Sequence, residues 1–334
     1  MDVSGWVWAA TALLVVGLIV FDFFAHVRTP HAPTFSESAR WSIVYVALAL
    51  VFGVVVGMAW GWDFGTEYFA GYITEKSLSV DNLFVFLIIM TKFAVPREYQ
   101  QKVLLVGVAI ALVLRTVFIL LGAAAIEQFS WVFYLFGAFL VYTAVKLARE
   151  HHDPDHPADE KVGEGLAVRM LKRFVPTTDE YHGDRLTVRI DGKRFLTPML
   201  VVMVSIGATD VLFALDSIPA IYGLTQEPYI VFTANAFALL GLRQLYFLIG
   251  GLLDRLVYLS QGLAVILGFI GVKLVLHALH VNELPFINGG EPVEWAPEIP
   301  IWLSLAFILG TLTVATVASL LKTRHDDTVS STES

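Results

Sequence analysis

Val80-Asp81-Asn82-Leu83-Phe84-Val85-Phe86 lies over Thr209-Asp210-Val211-Leu212-Phe213-Ala214-Leu215, and the register that matches them extends well beyond both. Ala111-Leu112-Val113-Leu114-Arg115-Thr116-Val117-Phe118 falls over Leu239-Leu240-Gly241-Leu242-Arg243-Gln244-Leu245-Tyr246, and Val145-Lys146-Leu147 over Val272-Lys273-Leu274. Asp81, Arg115 and Lys146 thus recur as Asp210, Arg243 and Lys273 at separations of 129, 128 and 127 residues. Three different charges, each within or at the edge of an apolar run and sharing almost one period, point to a duplicated three-helix unit.

The surrounding chain is apolar enough for a bilayer to be its solvent. Of its 334 residues 57% are hydrophobic and 16% charged, with a mean hydropathy of +0.70, far outside the range of a soluble domain. A helix rises about 1.5 Å per residue and the hydrocarbon layer is about 30 Å thick. Stretches long enough to cross it lie at 5–25, 41–62, 66–92, 102–124, 129–148, 197–222, 228–250, 256–279 and 300–321. The expected fold is therefore an all-α membrane protein of about nine transmembrane helices. With the N-terminus outside, every Lys and Arg except Lys76, Arg115, Arg243 and Lys273 falls on the cytoplasmic side, so the positive-inside rule predicts N-out and C-in. The third span then runs inward and the sixth outward. The two three-helix units are inverted relative to each other, an arrangement that places a binding site at the midplane and permits alternating access.

This reading divides the chain into two peripheral helices with their loop (1–65), a first repeat (66–148), a cytoplasmic loop (149–196), a second repeat (197–279), an external acidic loop (280–299), a last span (300–321) and a disordered cytoplasmic tail (322–334). The chain begins Met1-Asp2-Val3-Ser4 and meets its first Lys or Arg at Arg28, without the basic start of a cleaved signal, so the first span is expected to be retained. The 149–196 loop holds His151, His152, Asp153, Asp155, His156, Asp159 and Glu160. Such a cluster can bind metal, although such loops are more often merely soluble. The amphipathic stretch around Leu166, Met170, Leu171 and Phe174 is expected on the membrane surface. Alternation of Leu186, Val188 and Ile190 ahead of Asp191-Gly192 signals a hairpin. Glu283, Glu291, Glu294 and Glu298 of the external loop could gather cations, but a solvated loop explains them more simply.

An ionisable group within a span costs several kcal/mol unless paired, solvated or bound to an ion. The third span carries Glu75, Lys76 and Asp81 among Thr74, Ser77, Ser79 and Asn82; the sixth carries Asp210 and Asp216 with Ser205, Gly207, Thr209, Ser217 and Pro219. Gly207 and Pro219 are expected to loosen the sixth helix and free backbone carbonyls. Helical rise predicts two carboxylate layers, an inner Asp81/Asp210 and an outer Glu75/Asp216 about 9 Å away. Six residues also rotate a helix by about 600°, so a shared pathway requires a broken helix or a wide pore. With no cysteine in the chain, oxygen ligands suit Mg²⁺, Ca²⁺ or Mn²⁺ rather than Zn²⁺ or Cu⁺. Arg115 and Arg243 either exchange partners with the aspartates during transport or act as permanent ion-pair glue. Lys146 and Lys273 can snorkel, and Asp22 and His277 read as interface residues. No Walker, dinucleotide-binding or H-E-x-x-H motif is present, and no nucleophile, base and oxyanion set can be assembled, so no enzyme, no permanently bound cofactor and no nucleic-acid partner is expected. Crowded carboxylates offer proton exchange as the coupling.

At Gly71-Tyr72-Ile73-Thr74-Glu75-Lys76-Ser77-Leu78-Ser79-Val80-Asp81-Asn82 and Thr209-Asp210-Val211-Leu212-Phe213-Ala214-Leu215-Asp216-Ser217-Ile218-Pro219-Ala220, and again at 235–247 and 262–273, the sequence resembles the TerC/Alx family. These are tellurium-resistance-associated integral membrane proteins of the LysE transporter superfamily, and the likeness covers about 41–321. The resemblance implies a multi-pass protein of the bacterial inner (plasma) membrane. For the Alx-like branch it implies Mn²⁺ export, with functional roles for Glu75, Asp81, Asp210 and Asp216. Where the family often has a Glu, three residues before Asp210, this chain has Gly207, so its site has one carboxylate fewer. The expected function is a proton-coupled secondary transporter exporting Mn²⁺ or another hard divalent cation such as Ca²⁺. The four acidic residues are its ligands, and Arg115, Arg243, Asn82, Thr209 and Asn235 are gating or charge partners. Two rivals stand beside it: a membrane scaffold in tellurite or redox stress that docks a protein on 149–196, and an exporter of a small organic solute through a roomy aromatic-lined cavity.

Overall fold

The computed structural model describes residues 1–28, 31–129, 131–150, 176–178, 180–190, 193–249, 257–293 and 295–330, with the side chains of Asp81, Phe84, Glu150, Asp216, Ile249 and 324–330 outside that description. The described residues form ten α-helices: α1 (Gly5–Asp22, continued by a π-helical turn Phe23–Val27), α2 (Phe35–Trp60), α3 (Trp62–Lys92), α4 (Arg97–Gln128), α5 (Val132–Glu150), α6 (Pro198–Tyr222), α7 (Pro228–Leu239), α8 (Leu242–Ile249), α9 (Leu259–His280) and α10 (Ile301–Ser330). Among the described residues, eight stretches are long and apolar enough to cross a bilayer: Gly5–Val27, Phe35–Trp60, Arg97–Gln128, Val132–Arg149, Pro198–Tyr222, Pro228–Leu248, Leu259–His280 and Ile301–Thr323. The chain is an all-α membrane protein. The ninth expected span, α3, is 31 residues long, but Glu67, Glu75, Lys76 and Asp81 lower its hydropathy. It packs against α2, α6, α7 and α10, and Glu75 is fully buried.

Local chemistry sets the helix ends. Thr34 caps α2, its Oγ1 accepting the Glu37 N–H at 3.2 Å in a Thr-x-x-Glu pattern. Pro198 and Pro228 start α6 and α7 in the first turn, where a missing N–H costs nothing. The interruption expected in the sixth span is absent. Pro219 sits in the last turn of a continuous α6; its missing N–H forgoes only the bond to the Leu215 carbonyl, and its own carbonyl accepts the Gly223 N–H at 2.9 Å. The break lies instead in the next span, expected as a single helix over 228–250. α7 stops at Leu240, Gly241 takes a left-handed φ of 81°, and α8 restarts. Gly tolerates that conformation, and a Cβ there would also stand 2.9 Å from the Tyr45 side chain. α10 runs to Ser330, past the end expected at 321, because no Gly or Pro follows to stop it before the tail.

The helix pairings have a consistent sense. α3 lies parallel to α7, with Gly71 against Ala234 and the Lys76 head group at Ala238 and Leu240. α4 lies parallel to α6, with Gly107 against Ile206, Ile110 against Gly207 and Gly122 against Tyr222. α5 and α9 cross antiparallel, Gly137 meeting Val275, Val141 meeting Gly271 and Ala144 meeting Gly268. A Cβ on Gly271 would stand 2.9 Å from the Gly137 carbonyl oxygen, the close approach that small residues permit between helices in lipid. Gly271→Leu is therefore expected to force the pair apart at a cost of about 1–3 kcal/mol, read as a lower thermal midpoint in detergent. Gly17→Leu, where nothing lies within 4 Å, should change it little.

Outside the bundle, β1 (Thr187–Ile190) pairs antiparallel with β2 (Lys193–Leu196). Ile190 faces Lys193, which leaves two residues for the turn; these two, and the His/Asp cluster and amphipathic stretch of 151–175, lie outside the described residues. The segment docks on the α3–α4 turn through Tyr181 Oη, which donates to the Phe93 carbonyl at 2.7 Å, and through Lys102, 2.7 Å from Asp184. Across the molecule, Asn282 orders the acidic loop by donating to the Ile287 and Glu291 carbonyls.

Candidate functional site

A carboxylate within an apolar bundle must be paired and hydrogen-bonded. α3 supplies Glu75, α6 Asp210 and α4 Arg115, and the close parallel contact of α4 with α6 brings all three together. Arg115 donates from Nε to Asp210 Oδ2 at 2.8 Å and from Nη2 to Oδ1 at 2.9 Å, a bidentate fork. Its Nη1 donates to Glu75 Oε1 and, at 3.0 Å, to Ser217 Oγ. Arg115 and Glu75 are fully buried, and Asp210 is 2% exposed. Two carboxylates on one guanidinium leave one negative charge in excess when both are ionised. Glu75, expected in the outer layer, and Asp210, expected in the inner one, share one cation, because the arginine reaches both helices.

On α3 and α7, buried polar atoms have no partner among the described residues: Glu75 Oε2, Thr74 Oγ1, Ser79 Oγ and both amide atoms of Asn235. Each such atom costs about 1–3 kcal/mol when left dry. Asn82 is buried, whereas Thr209 returns its hydroxyl to the Ser205 carbonyl at 2.8 Å within α6 and joins no cluster. Asp81 and Asp216 lie on α3 and α6, their side chains outside the described residues. Among the described residues, no group of three His, Asp or Glu side chains is arranged to hold a metal ion.

Arg243, the repeat mate of Arg115, is also buried, but its carboxylate comes from elsewhere. It donates from Nε to Asp22 Oδ2 at 3.1 Å, from Nη2 to Asp22 Oδ1 at 2.7 Å and from Nη1 to Gln101 Oε1. Gln244 Nε2 adds a bond to Asp22 Oδ1 at 3.1 Å. Asp22, read from the sequence as an interface residue, is 5% exposed and ties α1 to α8. Its signal was a carboxylate in the last turn of an apolar span, a position that requires a buried partner. At the opposite end, a cavity of about 650 Å³ is lined by Asp63, Glu67, Glu227, Lys273, His277 and Glu298. Glu67 lies eight residues before Glu75, about 12 Å along α3.

Curated relatives match nearly the whole chain. An uncharacterized membrane protein of Mycobacterium tuberculosis is 52% identical over 97% of this chain and 81% of its own length. A membrane protein of Myxococcus xanthus is 38% identical over 96% of this chain and 94% of its own. A candidate membrane-bound redox modulator of Escherichia coli, Alx, is 37% identical over 96% of both. No solved structure matches the chain significantly. Residues 60–327, which contain both acidic motifs, Arg115 and Arg243, match the family of integral membrane proteins called TerC, and the chain belongs to that family.

Proposed function

We propose that this protein is a secondary transporter that exports a divalent cation, Mn²⁺ foremost, from the cytoplasm by alternating access. The observation that carries the reading is the fully buried Glu75–Arg115–Asp210 cluster where the two three-helix units meet. Parallel pairing of α3 with α7 and of α4 with α6, and the antiparallel α5–α9 crossing, agree with two inverted units in a nine-span, N-out and C-in protein of the bacterial inner membrane. Glu75, Asp81, Asp210 and Asp216 are the proposed ligands. All are hard oxygen donors, suited to Mn²⁺, Mg²⁺ or Ca²⁺. In the conformation seen here the Arg115 guanidinium neutralises part of their charge. An arriving cation takes over that role, and the carboxylates take up protons when it leaves. Asn82 and Asn235 are neutral neighbours in this scheme.

The name of the Escherichia coli relative favours a second reading, a membrane component of redox stress responses that docks a protein on 149–196. This chain has no cysteine, so it offers no thiol for such chemistry itself. Mn²⁺ uptake into inside-out vesicles separates the two. Asp81→Asn and Asp210→Asn, at matched expression, are expected to bring uptake to background, while deletion of 151–175 leaves most of it. The opposite pattern, or no uptake by the unaltered protein, would reject the exporter.

A further inference from the structure

A helix that stops inside a bundle leaves its last carbonyls without intrahelical donors and presents the negative end of its dipole. α7 stops in this way at Leu240–Gly241, and Lys76 of α3 fills the position: its Nζ donates to the Ala238 carbonyl at 3.0 Å and to the Leu240 carbonyl at 3.4 Å. Ala238 is fully buried and Leu240 is 5% exposed, so little water shares the task. The carboxylate next to Lys76 in sequence, Glu75, is engaged by Arg115, and no carboxylate among the described residues lies within ion-pair distance of Lys76. Among the described residues its charge is therefore met by backbone dipoles. Asn235, on the stretch of α7 between its contacts with Gly71 and Lys76, is fully buried with both amide atoms unpartnered, and its carbonyl is a further neutral oxygen.

The internal repeat supplies a comparison within the same molecule. By the spacing of the acidic motifs the mate of Lys76 is Ser205, and by the spacing of the arginines the mate of Gly241 is Val113. α4 runs unbroken through Val113. The lysine of the first unit and the helix break of the second thus meet where α3 packs on α7, and both are missing where α6 packs on α4. Interrupted helices whose carbonyl ends meet a small cation are a recurrent device of membrane transporters.

We propose that the carbonyl terminus of α7 is a monovalent-cation site whose occupant is the chain's own Lys76 ammonium. The tethered head group does there what a bound sodium or alkylammonium ion does elsewhere, holding the α7–α8 break in place without a dissolved ion. This site is separate from the carboxylates proposed to carry the exported metal, so the two proposals stand or fall independently.

The experiment is thermal unfolding of the detergent-purified full chain and of Lys76→Ala and Lys76→Met. Each is measured in choline, sodium, potassium and methylammonium chloride at equal ionic strength. The unaltered protein should unfold at one temperature in all four salts. Lys76→Ala should unfold earlier in choline and regain about 2–4 °C, in a saturable manner, with methylammonium or sodium. Lys76→Met, whose longer side chain fills more of the site, should regain less. A Lys76→Ala protein that unfolds at the same temperature in every salt, or fails to fold in every salt, would overturn the proposal: either result makes the lysine dispensable or structural in a way no cation replaces.

Discussion

Arg115→Leu is expected to cost the folded protein about 3–5 kcal/mol, the usual penalty for breaking a buried ion pair from one side. The substitution leaves Glu75 and Asp210 facing each other without a cation, both nearly inaccessible to water. Against a typical total stability of about 5–15 kcal/mol, the loss should appear as a sharp fall in monodisperse protein after detergent extraction and in its thermal midpoint. Arg115→Lys should rescue little, since an ammonium cannot span both oxygens of Asp210 while reaching Glu75 and Ser217. The combination Arg115→Met, Glu75→Gln and Asp210→Asn removes charge from both sides. It should recover most of the stability yet carry no Mn²⁺. Arg115→Leu with unaltered stability would mean that the two carboxyls are neutral without the arginine, and the exchange of arginine for metal would lose its basis.

Much of this architecture is legible in the sequence because a charge in an apolar run is conspicuous. The spacing of Asp81, Arg115 and Lys146 from Asp210, Arg243 and Lys273 suggested a repeat before any helix was placed, and hydropathy located the eight spans found among the described residues. Side-chain direction was harder to read. Counting rise along α3 put Glu75 and Asp210 in different layers, but a guanidinium at the end of a long side chain bridges such a separation. The loosened helix was assigned to Gly207 and Pro219 by residue type, yet α6 runs continuously past both. Gly241 breaks its helix through a left-handed φ beside Tyr45, a context set by a helix nearly 200 residues earlier in the chain. Asp22 lies 221 residues from Arg243 and in no repeat match, so no periodicity could have paired the two.

In the proposed transport cycle, that pair makes Arg243 the ion-pair brace and leaves Arg115 as the gate. If the inverted repeat were complete in its chemistry, Arg243 would hold Asp81 as Arg115 holds Asp210. Among the described residues its partners are instead Asp22 and Gln101, the first from a helix outside the proposed repeat. Asp22→Ala alone should cost about 3–5 kcal/mol, because Arg243 keeps its charge in a buried site with only neutral partners. Arg243→Met alone should cost a similar amount for the mirrored reason. The double variant, Asp22→Leu with Arg243→Met, replaces the ion pair by apolar volume and should recover most of the loss, a coupling that a double-mutant cycle on thermal midpoints would read directly. Because the carboxylate serving Arg243 is not one of the proposed ligands, the refolded double variant should still take up Mn²⁺ into inside-out vesicles at close to the unaltered rate. The corresponding neutral variant at Arg115 should not. A folded double variant without uptake would place Arg243 in the transport cycle and make α1, through Asp22, part of the moving machinery rather than a peripheral brace.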